Sequence, residues 1–198
     1  HARRHNMTLL DDGTLYVAKF TGNSPDSEID GTGRLPSDGA FDGTGEWIPL
    51  ASGDESFVPG FTAEEVYVFT RLAADAVGAT KMDRPEDIEP NPVNGRIYCA
   101  LTNNSDRGAS GSAGPDEANP RVGNKHGHVL EIDDDATGTT FRWGLLLVCG
   151  DPDDPGTFFA GFDKSRVSPI SCPDNVAFDR HGNLWISTDG NALGSNDG

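Results

Sequence analysis

The chain is poor in several things that would point to a common partner or scaffold. Only 15 Lys and Arg stand against 32 Asp and Glu in 198 residues, a net charge of −17. Such a surface repels a phosphate backbone, which excludes nucleic acid as a partner. Cys99, Cys149 and Cys172 are odd in number and lack C-x-x-C spacing, so neither a cysteine zinc site nor a fully paired disulfide framework is expected. No apolar run approaches the roughly 20 residues needed to cross a bilayer, so no membrane span is expected. The segment HARRHNMTLL at the amino terminus has no signal-peptide core. No G-x-S-x-G elbow, Walker loop or H-E-x-x-H motif is present.

A carboxylate excess with few aromatics can mark disorder. Here the apolar runs are too regular for that, and a cation-binding or halophilic-type surface is the better reading. A chain of this length can bury a full core without staples. Its 25 Gly and 13 Pro punctuate short runs rich in Val, Ile, Tyr, Trp and Leu, the composition of an all-β protein with many turns. One helix is predicted from about Thr62 to Val77. It opens on the capping box Thr62-Ala-Glu-Glu65, carries Val66, Phe69, Leu72, Ala73, Ala76 and Val77 at helical spacing, and stops at Gly78. Gly22 to Gly45 and Ser105 to Gly123 read as long loops.

An internal repeat organises the rest. DDGTLYVAKF (11–20), VNGRIYCALT (93–102) and RHGNLWISTD (180–189) share a polar residue, a Gly turn and a strand that opens on an aliphatic and an aromatic residue. Upstream, RPEDIEPNPVNGRIY and CPDNVAFDRHGNLWI align with one gap, which sets Pro85 on Pro173, Glu86 on Asp174, Asp87 on Asn175 and Ile88 on Val176. Hairpin units that cannot bury their faces alone pack radially in a β-propeller. At about 40–50 residues per blade, the chain would supply about three to four blades and one helical insertion, a single partial propeller domain over residues 1–198. A smaller sandwich with blade-like hairpins is the alternative.

In a propeller the residues that open each inner strand face the axis. Glu86 and Asp174, 88 positions apart, would then converge, and converging carboxylates repel unless a cation lies between them. Hard oxygen donors of this kind, with the amide oxygen of Asn175 and the neighbouring Asp87, suit Ca²⁺. The same acid pairs also fit Asx-turns, Asp87 and Glu89 fit a solvated half of the cluster, and Asp83 has lower priority than Glu86. Weaker candidates are His126 and His128, at strand spacing for a metal or an anion, and Cys172 as a soft ligand.

The segments RHNMTLLDDGTLYVAKF, TRLAADAVGATKMDRPEDIEPNPVNGRIYCALTNN, ANPRVGNKHGHVLEI and SCPDNVAFDRHGNLWISTDG together resemble the PhoX-type alkaline phosphatases. That resemblance implies a six-bladed propeller with Ca²⁺ and Fe³⁺ at its axis and phosphomonoesters as substrates. It also implies a periplasmic or secreted protein exported folded by the twin-arginine route. Glu86, Asp174 and Glu131 look like metal ligands on this basis, and Arg84 or Arg121 like the group that meets phosphate. The family's amino-terminal half, with its export signal and an iron-ligating cysteine, has no counterpart here and is the expected partner of this part. Two other functions share some of these features: a calcium-dependent lactonase or esterase propeller, which also carries PDN before a strand, and a non-catalytic calcium-stabilised module.

Overall fold

The computed structural model describes residues 6–8, 11–189 and 193. Parts of the first and last segments quoted for the resemblance, residues 4–5, 9–10 and 190, lie outside them. The protein is mostly β, with two short α-helices among the described residues, and divides into two compact units.

The first unit comprises residues 1–20 and 45–80. It holds most of strands β1 (Thr14–Gly22) and β2 (Asp42–Ser52), the short β3 (Glu55–Ser56) and helices α1 (Ala63–Val68) and α2 (Thr70–Ala76). Leu50, Ala51, Val58, Val66 and Ala73 form its core, and Leu15, Val17, Phe61 and Val77 pack on it. The expected capping box is present, with Thr62 Oγ1 accepting from Glu65 N–H and Glu65 accepting from Thr62 N–H.

The single predicted helix is broken at Phe69, whose φ of −113° and ψ of 42° leave the helical region. Thr70 Oγ1 donates to the carbonyls of Val66 and Tyr67, a local bond that competes with the helical ladder. The break also shifts the buried face. Ala73 stays inside, while Phe69 and Leu72, expected in the core, are exposed. At the end, Gly78 takes a φ of +74° and Ala79 N–H reaches the Ala74 carbonyl, a Schellman closure that needs the glycine.

The second unit comprises residues 21–44 and 81–198. Its antiparallel sheet runs in the order β7 (Thr140–Val148), β6 (His128–Asp133), β5 (Ile97–Leu101), β4 (Pro85–Pro90), and β8 (Phe158–Phe159) pairs with β7. Strands β9 (Pro173–Phe178) and β10 (Leu184–Thr188) form a separate hairpin. Ala100, Leu101, Val129, Leu130, Ile132 and Val148 fill the interior. All three repeat copies are strands, namely β1, β5 and β10, and the two longer copies are the hairpins β4–β5 and β9–β10.

Beneath the start of β4 lies a buried polar network. Arg107 and Asp83 have no exposed side-chain surface, and Arg107 Nε donates to Asp83 Oδ1 over 2.6 Å. Asn104 Nδ2 donates to the same oxygen and Asn124 Nδ2 to Asp83 Oδ2. Arg107 also caps the carbonyls of Gly114 and Lys81. Two charges out of water persist only when this fully bonded, and breaking such a pair costs more than it would have contributed. Asp83 is thus a buried anchor of the loops.

His128 sits in the same network with no exposed surface, and its Nδ1 lies 3.1 Å from Asn124 Nδ2. Burial pushes its pKa down to about 4; Asp83 pulls it up, and Arg121 and Arg107 push it further down. The folded state therefore holds His128 neutral, whereas the unfolded chain takes up a proton near pH 6.5. The stability this contributes is complete above about pH 6.5 and is lost as pH falls towards 4, on the order of 3 kcal/mol in all. Thermal unfolding between pH 7.5 and 4.5 should show this loss, and a His128→Leu variant should fall less steeply over that window.

Candidate functional site

The repeat extends to backbone detail that the sequence did not reveal. In β4–β5, Pro85 pairs with Leu101 and Asp87 with Ala100, so Glu86 is an extra residue. In β9–β10, Pro173 pairs with Thr188 and Asn175 with Ser187, so Asp174 is the extra residue. Each carboxylate thus sits on a β-bulge at the matching position of its hairpin, and a bulge re-aims one side chain out of the strand's alternation. Each bulge follows a non-glycine residue in the left-handed region: Arg84 with φ of 54° and Cys172 with φ of 55°. The carbonyls of these two residues also make matching bonds, Thr102 N–H donating to Arg84 and Asp189 N–H to Cys172. Strain of this kind persists only where surrounding bonds hold it, and it gathers at working sites.

The two hairpins are tied side by side at this end. Thr102 Oγ1 donates to the Pro173 carbonyl over 2.9 Å, and Val176 N–H donates to Asp87 Oδ2 over 2.9 Å. Arg84 Nη2 donates to Glu86 Oε1 over 2.8 Å and Arg84 Nη1 to Asn103 Oδ1 over 3.1 Å. Asn103 Nδ2 in turn donates to Cys172 Sγ over 3.7 Å. The Cys172 thiol points to the Lys125 carbonyl, and Ser171 Oγ lies between Cys172 Sγ and His126 Nδ1, 2.9 Å from the latter. One bonded chain therefore runs from Glu86 through Arg84, Asn103 and Cys172 to Ser171 and His126. Glu86 and Arg84 are exposed and Asp174 is half-buried, so the corner is open to a ligand.

The other predicted site residues go elsewhere. Glu131 pairs with Tyr98, three residues along β5 from Leu101, which puts it about 10 Å from the bulges at ~3.3 Å per residue. Its carboxylate is taken by Arg96 Nη1 at 2.5 Å and by the Tyr98 hydroxyl. Arg121 is buried, with its guanidinium on the carbonyls of Cys149 and Gly127 and on Asn124 Oδ1, so it is a scaffold group here and not an open anion site. Asp87 spends both oxygens on backbone N–H groups, those of Ile88 and Val176. Asn175 is exposed on β9 beside Asp174. His126 and His128 do not share a strand face, because β6 begins only at His128.

Among the described residues, no three His, Cys, Asp or Glu side chains come together in metal-holding geometry. The hard oxygens of Glu86 and Asp174 suit a cation such as Ca²⁺, but they fit part of a coordination shell and not the whole of it. Cys99 and Cys149 are buried as thiols, since burial pushes Cys99 up to about 11 and Cys149 up to about 12. Sequence reasoning had named both bulge carboxylates and, by resemblance, Arg84. It placed Asn103 in the loop after the second repeat strand, at a channel mouth or in an ordinary polar turn, and nothing in the sequence paired it with Cys172.

A mostly β scaffold with acidic residues at repeated hairpin bulges is the class these features define. Residues 1–197 match the family model for alkaline phosphatase PhoX, and the chain belongs to that family. It is also similar to the solved structure of Pseudomonas fluorescens PhoX in complex with vanadate, a transition state analogue. The two are 36% identical with a TM-score of 0.75, over 98% of this chain and 33% of that one. The chain therefore spans about a third of the length of that relative. No curated protein sequence matches.

Proposed function

We propose that this chain contributes part of the active site of a metal-dependent phosphomonoesterase of the PhoX alkaline phosphatase type. The observation that carries this reading is the pair of equivalent bulges. They set Glu86 and Asp174 at one end of two adjoining hairpins, in a chain whose solved relative is in complex with vanadate, a transition state analogue. Glu86, Asp174 and the neighbouring Asn175 would supply oxygen donors to Ca²⁺, alongside Fe³⁺. The remaining donors would come from the part of the PhoX fold that this chain does not span, with the hairpins arranged as blades about a common axis. Bound cations would neutralise the oxygens of the ester.

The chain's own residues act by binding and orientation. Arg84 presents a planar fork of five N–H donors, and its bonds to Glu86 and Asn103 leave further donors for phosphoryl oxygens. Glu86 holds that fork near the bulge instead of letting it sweep through solvent. Secretion or export to the periplasm through the twin-arginine route belongs to the same proposal. None of the described helices is long and apolar enough to cross a membrane.

The test is an assay of the native protein on p-nitrophenyl phosphate and on a lactone, each with and without a chelator. Chelator-sensitive hydrolysis of the phosphate ester, inhibited by vanadate and with no lactone turnover, is the expected result. Lactone turnover alone would move the chain to the calcium-dependent lactonases. Calcium-raised thermal stability with no turnover of either substrate would make it a structural module.

A further inference from the structure

Asn103 is the residue that joins the two bulges, and its amide can face only one way. A guanidinium donates and never accepts, so Oδ1 must meet Arg84 Nη1 and Nδ2 is left for the sulfur of Cys172. Arg84 and Cys172 are the two equivalent left-handed residues that launch the Glu86 and Asp174 bulges. Asn103 thus spans from the head of one bulge to the head of the other. The link is one-sided, because extending the repeat alignment by one residue sets Asn103 on Gly190, which has no side chain. The backbone beneath Asn103 is fixed on its own account: Thr102 is fully buried and bonds both the Arg84 carbonyl and the Pro173 carbonyl.

We propose that Asn103 is a positioning residue for phosphate recognition. It holds the Arg84 guanidinium at one set angle between the two bulges, so that the N–H groups left over by Glu86 and Asn103 converge on a phosphoryl group. This rests on the reading of Arg84 as a phosphate contact. Without the amide, Arg84 keeps its bond to Glu86 but pivots about it, and the entropy of that motion is lost again on each binding event.

A double-mutant cycle tests this in the native protein, with wild type, Asn103→Ala, Arg84→Ala and the double variant. Each is read by the inhibition constant for inorganic phosphate and by kcat and KM for p-nitrophenyl phosphate. Asn103→Ala is expected to weaken phosphate inhibition by about tenfold, the scale of a hydrogen bond to a charged group, with KM rising more than kcat falls. In the Arg84→Ala background the same substitution should change phosphate inhibition by less than about twofold. A tenfold effect in both backgrounds, or none in either, overturns the proposal. If the wild type hydrolyses no phosphate ester, the proposed function fails, and the cycle is then read by calorimetric binding of inorganic phosphate. A wild type that binds no phosphate, or a cycle with additive losses, overturns the positioning role as well.

Discussion

Glu86→Gln is expected to keep its fold and lose p-nitrophenyl phosphate hydrolysis by on the order of 10³-fold, the scale of removing one group aimed at the transition state. Gln has the same shape, and the side chain is exposed enough that its pair with Arg84 contributes little to stability. The melting temperature should therefore barely move. Asp174→Asn should behave in the same way, since Asp174 occupies the matching bulge. Losses of both activity and fold would make Glu86 a structural residue. Full activity in Glu86→Gln would remove it from the site.

Asp83→Asn should do the reverse and destabilise the protein severely. It would leave the Arg107 guanidinium, which has no exposed side-chain surface, facing a neutral amide. Removing one member of a buried ion pair costs about 3–5 kcal/mol, a fall in Tm of roughly 10 °C for a chain of this size. Thermal unfolding checks this. A double variant, Asp83→Asn with Arg107→Met, should lose less than the sum of the two single changes, because no charge is then stranded. Additive losses would mean that the two residues are not coupled as the 2.6 Å bond implies.

These two neighbours show how much of the site was legible in the sequence. Glu86 was singled out because an internal repeat supplied a comparison, Asp174, that a single sequence seldom offers. The hairpins and the capping box followed from turn chemistry and local spacing, which act over a few residues. Asp83 was passed over. Four acids in seven positions read as a solvated turn or half of a metal site, and the partners that bury Asp83, namely Arg107, Asn104 and Asn124, come from loops 21 to 41 residues away. Glu131 was carried by resemblance of its segment, but strand register put it at the other end of β5, against Arg96 and Tyr98. The helix break at Phe69 turned on a hydroxyl bonding back to the previous turn, which the apolar period could not register.

Calcium and iron counted together in the purified native protein, beside Glu86→Gln and Asp174→Asn, test the central claim most directly. If the two bulges face one cation, both variants lose bound calcium relative to wild type while remaining folded. Wild-type calcium content in both variants would contradict it.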